Sequence, residues 1–209
     1  HFRPDFFRAL RRLADEREAM LIYDEVQTGL GLTGAWWAYQ HHGVLPDIVC
    51  FAKKMQVGGI FVSKRVDEVR DNVFEKSGRI NSTWGGSLSD MVRCTRILEI
   101  IVDERLIENA AARGAELLSG LVRIQERFSF VSNARGKGLM CAIDLPDGPT
   151  RDAVVERCYA DGMIVLKCGP RSVRFRPTLT VDAEAIAEGV SRLERSIEQI
   201  SFQRNASAQ

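Results

Sequence analysis

Met20-Leu21-Ile22-Tyr23-Asp24-Glu25-Val26-Gln27-Thr28-Gly29 is the stretch whose reading decides the fold class. Four residues suited to a buried strand run into two acids and a turn bounded by glycine. That order puts Asp24 at the carboxyl end of a strand, where open α/β sheets hold ligands. Read alone, an acid here more commonly caps a turn or starts a helix. A second stretch, Phe51-Ala52-Lys53-Lys54-Met55-Gln56-Val57-Gly58-Gly59, changes the weighing, because it sets Lys53 just past another short apolar strand, Ile48–Phe51.

The chain has 209 residues, 45% hydrophobic and 27% charged, enough to bury a core and ordinary for a globular protein. Against 29 Lys and Arg stand 28 Asp and Glu. No bulk field therefore argues for nucleic acid or an anionic membrane as partner. No apolar run approaches a membrane span and no signal pattern opens the sequence, so a cytoplasmic location is expected. The five cysteines, Cys50, Cys94, Cys141, Cys158 and Cys168, are odd in number and never form a C-x-x-C pair. That argues against a disulfide framework and against structural zinc. With three histidines in all, no metal site is expected, and His41 and His42 read as a surface or packing pair. Opening on His1 without methionine, the sequence reads as a piece of something longer.

In order, Pro4-Asp5 begins a helix that runs to about Glu18, with Phe6, Phe7, Leu10, Leu13 and Ala14 at helical spacing. Helix into apolar strand is half of a βαβ unit. Gly29, Gly31 and Gly34 make a glycine-rich turn that fits neither the Walker nor the dinucleotide fingerprint, and residues 35–39 read as a short helix. Residues 60–63 are a third strand, and Gly58-Gly59 allow the return. Residues 78–86 form a polar loop, Gly78-Arg79-Ile80-Asn81-Ser82-Thr83-Trp84-Gly85-Gly86. Two long helices follow: Met91, Val92, Leu98, Ile101 and Val102 mark one stripe, and Leu106, Ala110, Leu117, Leu121 and Ile124 the next, with a bend near Glu104. Then Arg135-Gly136-Lys137-Gly138 reads as a turn feeding a strand at 139–145. Residues 150–161 read as a helix, 163–166 and 172–175 as strands, and a last helix is capped by Asp182.

An amine at one strand end and a carboxylate at the next suit one chemistry in particular. A partly desolvated lysine can condense with an aldehyde, and a nearby acid can keep a heteroaromatic nitrogen protonated. Pyridoxal phosphate requires that pair. On spacing alone, an ordinary surface lysine is the commoner case.

Asp24-Glu25-Val26-Gln27-Thr28-Gly29, Thr33-Gly34 and Asp47-Ile48-Val49-Cys50-Phe51-Ala52-Lys53-Lys54 together resemble the signature of class III aminotransferases, which are pyridoxal-phosphate enzymes of fold type I. The likeness continues through Asn81-Ser82-Thr83-Trp84-Gly85-Gly86, Arg135-Gly136-Lys137-Gly138-Leu139-Met140 and Val173-Arg174-Phe175-Arg176-Pro177. Within the class, His1-Phe2-Arg3-Pro4-Asp5-Phe6-Phe7, Gly31-Leu32-Thr33-Gly34 and Lys53-Lys54-Met55-Gln56-Val57-Gly58 are most similar to the branch that acts on the ε-amino group of lysine. The 4-aminobutyrate branch is its near neighbour.

The resemblance implies an α/β chain that is the C-terminal part of fold type I. Residues 1–88 would be part of the large-domain sheet, 89–128 a helical link, 129–203 a smaller α/β domain and 204–209 a disordered tail. It implies Lys53 as the Schiff-base lysine and proton shuttle, and Asp24 as partner of the pyridinium nitrogen. Val26 would pack on the ring, Gln27 would bond near the ring oxygen, and Ser82 and Thr83 would meet the phosphate of a neighbouring subunit's cofactor, making a homodimer with shared active sites. Arg174 would bind the substrate carboxylate, with Gln27 and Asn81 also toward substrate. Lys54 and Arg176 are the competing assignments, and Glu25 reads as structural. The implied reaction moves the ε-amino group of L-lysine, or of another ω-amino acid, to 2-oxoglutarate, giving 2-aminoadipate 6-semialdehyde and glutamate. The alternatives are an enzyme of the 4-aminobutyrate type, and a non-catalytic association partner lacking the family's phosphate loop and ring-stacking aromatic.

Overall fold

The computed structural model describes the backbone of residues 3–206 and the side chains of residues 3–202. His1 and Phe2 of the opening motif, and residues 207–209, lie outside the described residues. The chain forms two compact units, His1–Gly31 with Ala35–Leu106, and Leu32–Gly34 with Ile107–Gln209.

In the first unit, helix α1 (Pro4–Glu16) starts with proline at its first position. There the missing N–H is one the helix could not have used, and Asp5 in the first turn complements the helix dipole. Strand β1 (Ile22–Asp24) lies parallel to β2 (Ile48–Phe51), pairing Ile22 with Ile48, Tyr23 with Val49 and Asp24 with Cys50. Strand β3 (Gly59–Val62) returns antiparallel on β2. The first pairing matters most: parallel strands in register bring both carboxyl ends, and the residues just past them, to one edge of the sheet.

The opposite edge is anchored by Asp47, a buried carboxylate. Its Oδ2 accepts the Leu21 N–H at 2.7 Å and Arg11 Nη1 at 2.9 Å, with Arg65 Nη1 at 3.4 Å. Burial works to raise this carboxyl, but the hydrogen bonds from Leu21 and Arg11 and the two guanidinium charges outweigh it and hold the pKa below the ordinary value.

Helix α2 (Leu88–Asp103) is capped by Ser87, whose Oγ accepts the Asp90 N–H. Only Cys94 and Ile101, seven residues apart on one face, are buried in it. Met91, Val92 and Val102 of the expected stripe are exposed, so the helix buries a narrower face than its apolar pattern marks. The helix expected at 35–39 is instead a 3-10 turn at Ala38–His41.

The second unit contains α3 (Leu106–Arg127, from Ile107), β4 (Ser132–Lys137), β5 (Met140–Asp144), α4 (Gly148–Ala160), β6 (Leu166–Cys168), β7 (Ser172–Phe175) and α5 (Ala183–Ala206). Its sheet is antiparallel, in the order β4-β5-β7-β6. Cys141, Ile143, Val173 and Phe175 join Leu117, Leu121 and Ile124 of α3 and Ile186, Val190, Leu193 and Ile197 of α5 in one buried cluster. Each large aliphatic side chain so buried contributes about 1.5–3 kcal/mol.

Three expectations are corrected here. Arg135, Gly136 and Lys137 belong to strand β4 and pair with β5, so the turn is confined to the Gly138 region. Ser-Asn-Ala-Arg-Gly-Lys has no apolar alternation, and its neighbour β5 supplies the pairing that the sequence pattern does not announce. Strand β6 begins at Leu166 rather than ending there. Helix α5 continues through Arg204 to Ala206, inside the stretch expected to be tail.

Candidate functional site

Asp24 ends β1 with its side chain exposed, and one carboxylate oxygen accepts the Val26 N–H at 3.0 Å. That self-contained turn leaves the other oxygen open. Lys53 stands just beyond β2, exposed, opening a 3-10 turn over Lys53–Met55. Its φ of 42° is left-handed, a conformation that strains a non-glycine residue by about 1–2 kcal/mol. The Gln56 N–H, donating to the Lys53 carbonyl at 2.8 Å, closes the turn. The Lys53 side chain makes no hydrogen bond among the described residues.

Lys54 behaves differently. Its Nζ donates to the Gln27 carbonyl at 2.7 Å, tying the turn after β2 to the turn after β1. Glu25 is 4% exposed, and its carboxylate accepts the Thr28 hydroxyl and, at 2.8 Å, the Tyr39 N–H. The Glu25 N–H in turn donates to the Cys50 carbonyl at 2.9 Å. Glu25 is thus a tie within the scaffold, as read from the sequence. Gly29 closes this turn under Trp37, where a Cβ would come within 2.5 Å of the indole. Val26 and Gln27 are half-buried in the same turn.

Asn81, Ser82 and Thr83 are all exposed in the loop between β3 and α2, and no hydrogen bond among the described residues joins them to Asp24 or Lys53. Trp84 beside them is 81% exposed. In the second unit, Arg174 lies on β7 opposite Ala142 and Leu166. Its Nε is buried without a partner, the kind of donor that calls for an acceptor. Arg174 and Arg176 both line a cavity of about 380 Å³, whose other walls, among them Met163, Phe175, Val181 and Ile186, are apolar. In the same sheet buried Asp144 accepts the Ser172 hydroxyl at 2.5 Å, Asn133 at 2.8 Å and Arg135 at 2.8 Å. Burial pushes its carboxyl up, and these bonds more than reverse that, leaving it low.

The parts that the sequence did not mark are Lys54 and Asp47. Lys54 carried only a signal of adjacency to Lys53; Asp47 carried only that of an acid before a strand. Among the described residues no cluster of His, Cys, Asp and Glu could hold a metal ion, and no helix is long and apolar enough to cross a membrane.

The model of the family "Aminotransferase class-III" matches residues 1–197. The L-lysine-epsilon aminotransferase of Mycobacterium tuberculosis is 50% identical over 198 residues, 94% of this chain and 44% of that protein. The human mitochondrial 4-aminobutyrate aminotransferase is 40% identical over 182 residues, 86% of this chain and 35% of that protein. A solved structure of the lysine aminotransferase from M. tuberculosis superposes with a TM-score of 0.92 at 49% identity, covering 96% of this chain and 46% of that one. The expected α/β class and fold type I are borne out by that superposition. The chain spans less than half the length of the curated relatives it matches. With the family model covering nearly all of its residues, the chain belongs to the class III aminotransferases.

Proposed function

We propose that the protein moves the ε-amino group of L-lysine to 2-oxoglutarate, giving 2-aminoadipate 6-semialdehyde and glutamate, with pyridoxal phosphate as cofactor. The observation that carries this is the pairing of Asp24 with Cys50 in parallel strands, which sets an open carboxylate oxygen and the exposed Lys53 amine just past adjacent strand ends. The greater identity to the lysine enzymes, 50% against 40% for the human 4-aminobutyrate enzyme, favours lysine over 4-aminobutyrate.

The donor set fits the cofactor: an amine free of other bonds, and a carboxylate with an unused acceptor. When bound, pyridoxal phosphate supplies an aldehyde for amines and a protonated ring that withdraws electron density from the reacting carbon. Asp24 would hold the proton on the ring nitrogen, its second oxygen being the acceptor. Lys53 would accept a proton at Nζ from the ε-carbon of lysine and return it on the cofactor side. Val26 would face the ring and Gln27 would donate toward its oxygen. Arg174, whose Nε has no protein acceptor, would bind a substrate carboxylate through its planar fork, with Gln27 and Asn81 as further polar contacts.

We further assign Ser82 and Thr83 to the cofactor phosphate of a second copy, making a homodimer with shared sites. The exposed Trp84, Leu88 and Val92 on the same unit support that reading, being 81%, 82% and 72% exposed. Division into a large-domain part (1–88), a helical link (89–128) and a small domain (129–203), and a cytoplasmic location, complete the proposal.

The test is borohydride reduction of the protein with pyridoxal phosphate, followed by peptide mapping, and a glutamate assay with lysine, 4-aminobutyrate or ornithine as donor. A pyridoxyl label on Lys53 and a preference for lysine are expected. Absence of the label on Lys53 defeats the cofactor assignment; preference for 4-aminobutyrate defeats the substrate assignment.

A further inference from the structure

We propose that Lys54 is a positioning residue. Its ammonium straps the turn that carries Asp24, Val26 and Gln27 to the turn that carries Lys53, and so fixes the spacing between the carboxylate and the amine. This rests on the reading of Asp24 and Lys53 given above, and it assigns the second of two adjacent lysines a task distinct from the first.

Three observations lead there. Lys53 has a left-handed backbone and an exposed side chain, whereas Lys54 beside it is half-buried and reaches Gln27 O at 2.7 Å. A hydrogen bond from a charged donor is roughly twice as strong as a neutral one. Within the turn after β1, the Val26 N–H donates to Asp24, the Gly29 N–H to the Glu25 carbonyl and the Thr28 hydroxyl to the Glu25 carboxylate; Glu25 also takes the Tyr39 N–H, and the Glu25 N–H reaches the Cys50 carbonyl in β2. None of those bonds registers it against the turn at residues 53–56. Finally, that second turn is itself held, because Arg93 of α2 donates to Gln56 Oε1 at 3.0 Å and the Gln56 N–H bonds back to Lys53. Lys54 therefore pulls on the first turn from a fixed base.

Geometry of this kind controls rate more than affinity for substrate, since Lys54 bonds the scaffold rather than the reactant, and displacements of about 1 Å change rates by as much as 10²-fold. In K54M the stem is kept and the donor is lost. The expected result is a cooperative melt like that of the parent, a tenfold or larger fall in the rate of pyridoxyl labelling at Lys53, and a fall in kcat with KM for lysine changed less than threefold. K54R, which restores a charged donor, should recover at least half of the labelling rate. Hydrogen exchange measured without cofactor gives a reading independent of the cofactor assignment: amides of residues 25–29 should exchange about tenfold faster in K54M. Unchanged exchange and labelling in K54M overturns the proposal, as does a K54R variant no better than K54M. Should K54M not fold, K54Q, a shorter neutral donor, is read by the same two measurements. If the parent takes no label at Lys53, the cofactor assignment falls, and the exchange measurement alone decides whether Lys54 fixes the turn.

Discussion

Arg11 of α1 reaches Asp47 at the start of β2, Nη1 donating to Oδ2 at 2.9 Å, and the same oxygen takes the Leu21 N–H at 2.7 Å just before β1. One buried carboxylate thus fixes the helix, the first strand and the second strand at the edge opposite the site. Removing it leaves Arg11 half-satisfied and an N–H unpaired, a loss of the type that costs about 3–5 kcal/mol. Asp47→Ala should therefore lower the denaturation midpoint of the first unit strongly. A loss below about 1 kcal/mol by chemical denaturation, the range of a surface ion pair, would show the cluster to be ornamental.

The same residue sets an acid limit. Asp47 and Asp144 are both held below the ordinary value of 3.8, so near that pH the folded protein binds fewer protons than the unfolded chain. Their contribution is fully present above the unfolded value and is lost as pH falls through the lower folded values. Stability should accordingly be insensitive to these two groups at neutral pH and drop steeply below about pH 4. Asp144→Asn should flatten that drop in the second unit, as followed by acid titration of its circular dichroism.

Asp24 and Lys53 are set by the parallel register of β1 on β2, and their replacements should separate chemistry from folding. Lys53→Ala removes the exposed amine but keeps the Cβ at its left-handed position, leaving the backbone strain unchanged, so the melt should barely move. Turnover should fall on the order of 10²–10⁴-fold, the share of a positioned acid-base group. Asp24→Asn keeps the shape and an acceptor for the Val26 N–H, yet loses the charge that would hold a ring proton; a comparable loss of kcat is expected. Turnover by K53A within tenfold of the parent would mean that another group, with Lys54 the first suspect, moves the proton.

Much of the frame that positions Asp24, Lys53 and Arg174 could be read from residues alone, for physical reasons. Strand β2 is framed by Pro46 and Asp47 before it and by a turn after it, and strand β7 alternates Val173 and Phe175 with polar Ser172 and Arg174; both stand where the pattern puts them. Strand β4 escaped because its six residues are polar and small, and only pairing with Met140–Asp144 makes them a strand. The exposed stripe on α2 escaped because periodicity marks which residues share a face but not whether that face is covered within the chain. Lys53 is exposed while Lys54 is half-buried and bonded to Gln27, and nothing in the composition of Phe51-Ala52-Lys53-Lys54 announces that difference.

The five thiols should fall into two groups. Burial pushes Cys141 up to about 12 and raises Cys158 as well, so neither offers a thiolate near neutral pH. Cys94 is buried too, whereas Cys50 and Cys168 are partly exposed. Titration with a thiol-specific disulfide reagent at pH 8 should therefore modify Cys50 and Cys168 in the folded protein and the other three only on unfolding. Early modification of Cys141 would mean that β5 opens far more readily than its burial indicates.

Glycine substitutions offer a sharper check on the second unit, because two kinds of constraint can be told apart. At Gly138 an added Cβ would meet the Thr33 carbonyl carbon at 2.4 Å, and φ is +51°. At Gly114 it would meet the Gly138 carbonyl carbon at 2.1 Å. Both obstacles are backbone, which cannot rotate aside as a side chain can. Gly169 has a similar φ of +54° but nothing within 4 Å, so alanine there meets conformational strain alone, about 1–2 kcal/mol. Gly138→Ala adds a collision to the same strain and should cost about 3 kcal/mol or more. The prediction is an ordering in denaturation midpoints, with G169A mildly and G138A and G114A severely destabilised. If G138A and G169A lose equal stability, the approach of residues 32–34 to the Gly138 turn is looser than 2.4 Å implies, and strain in φ would be the whole of the effect.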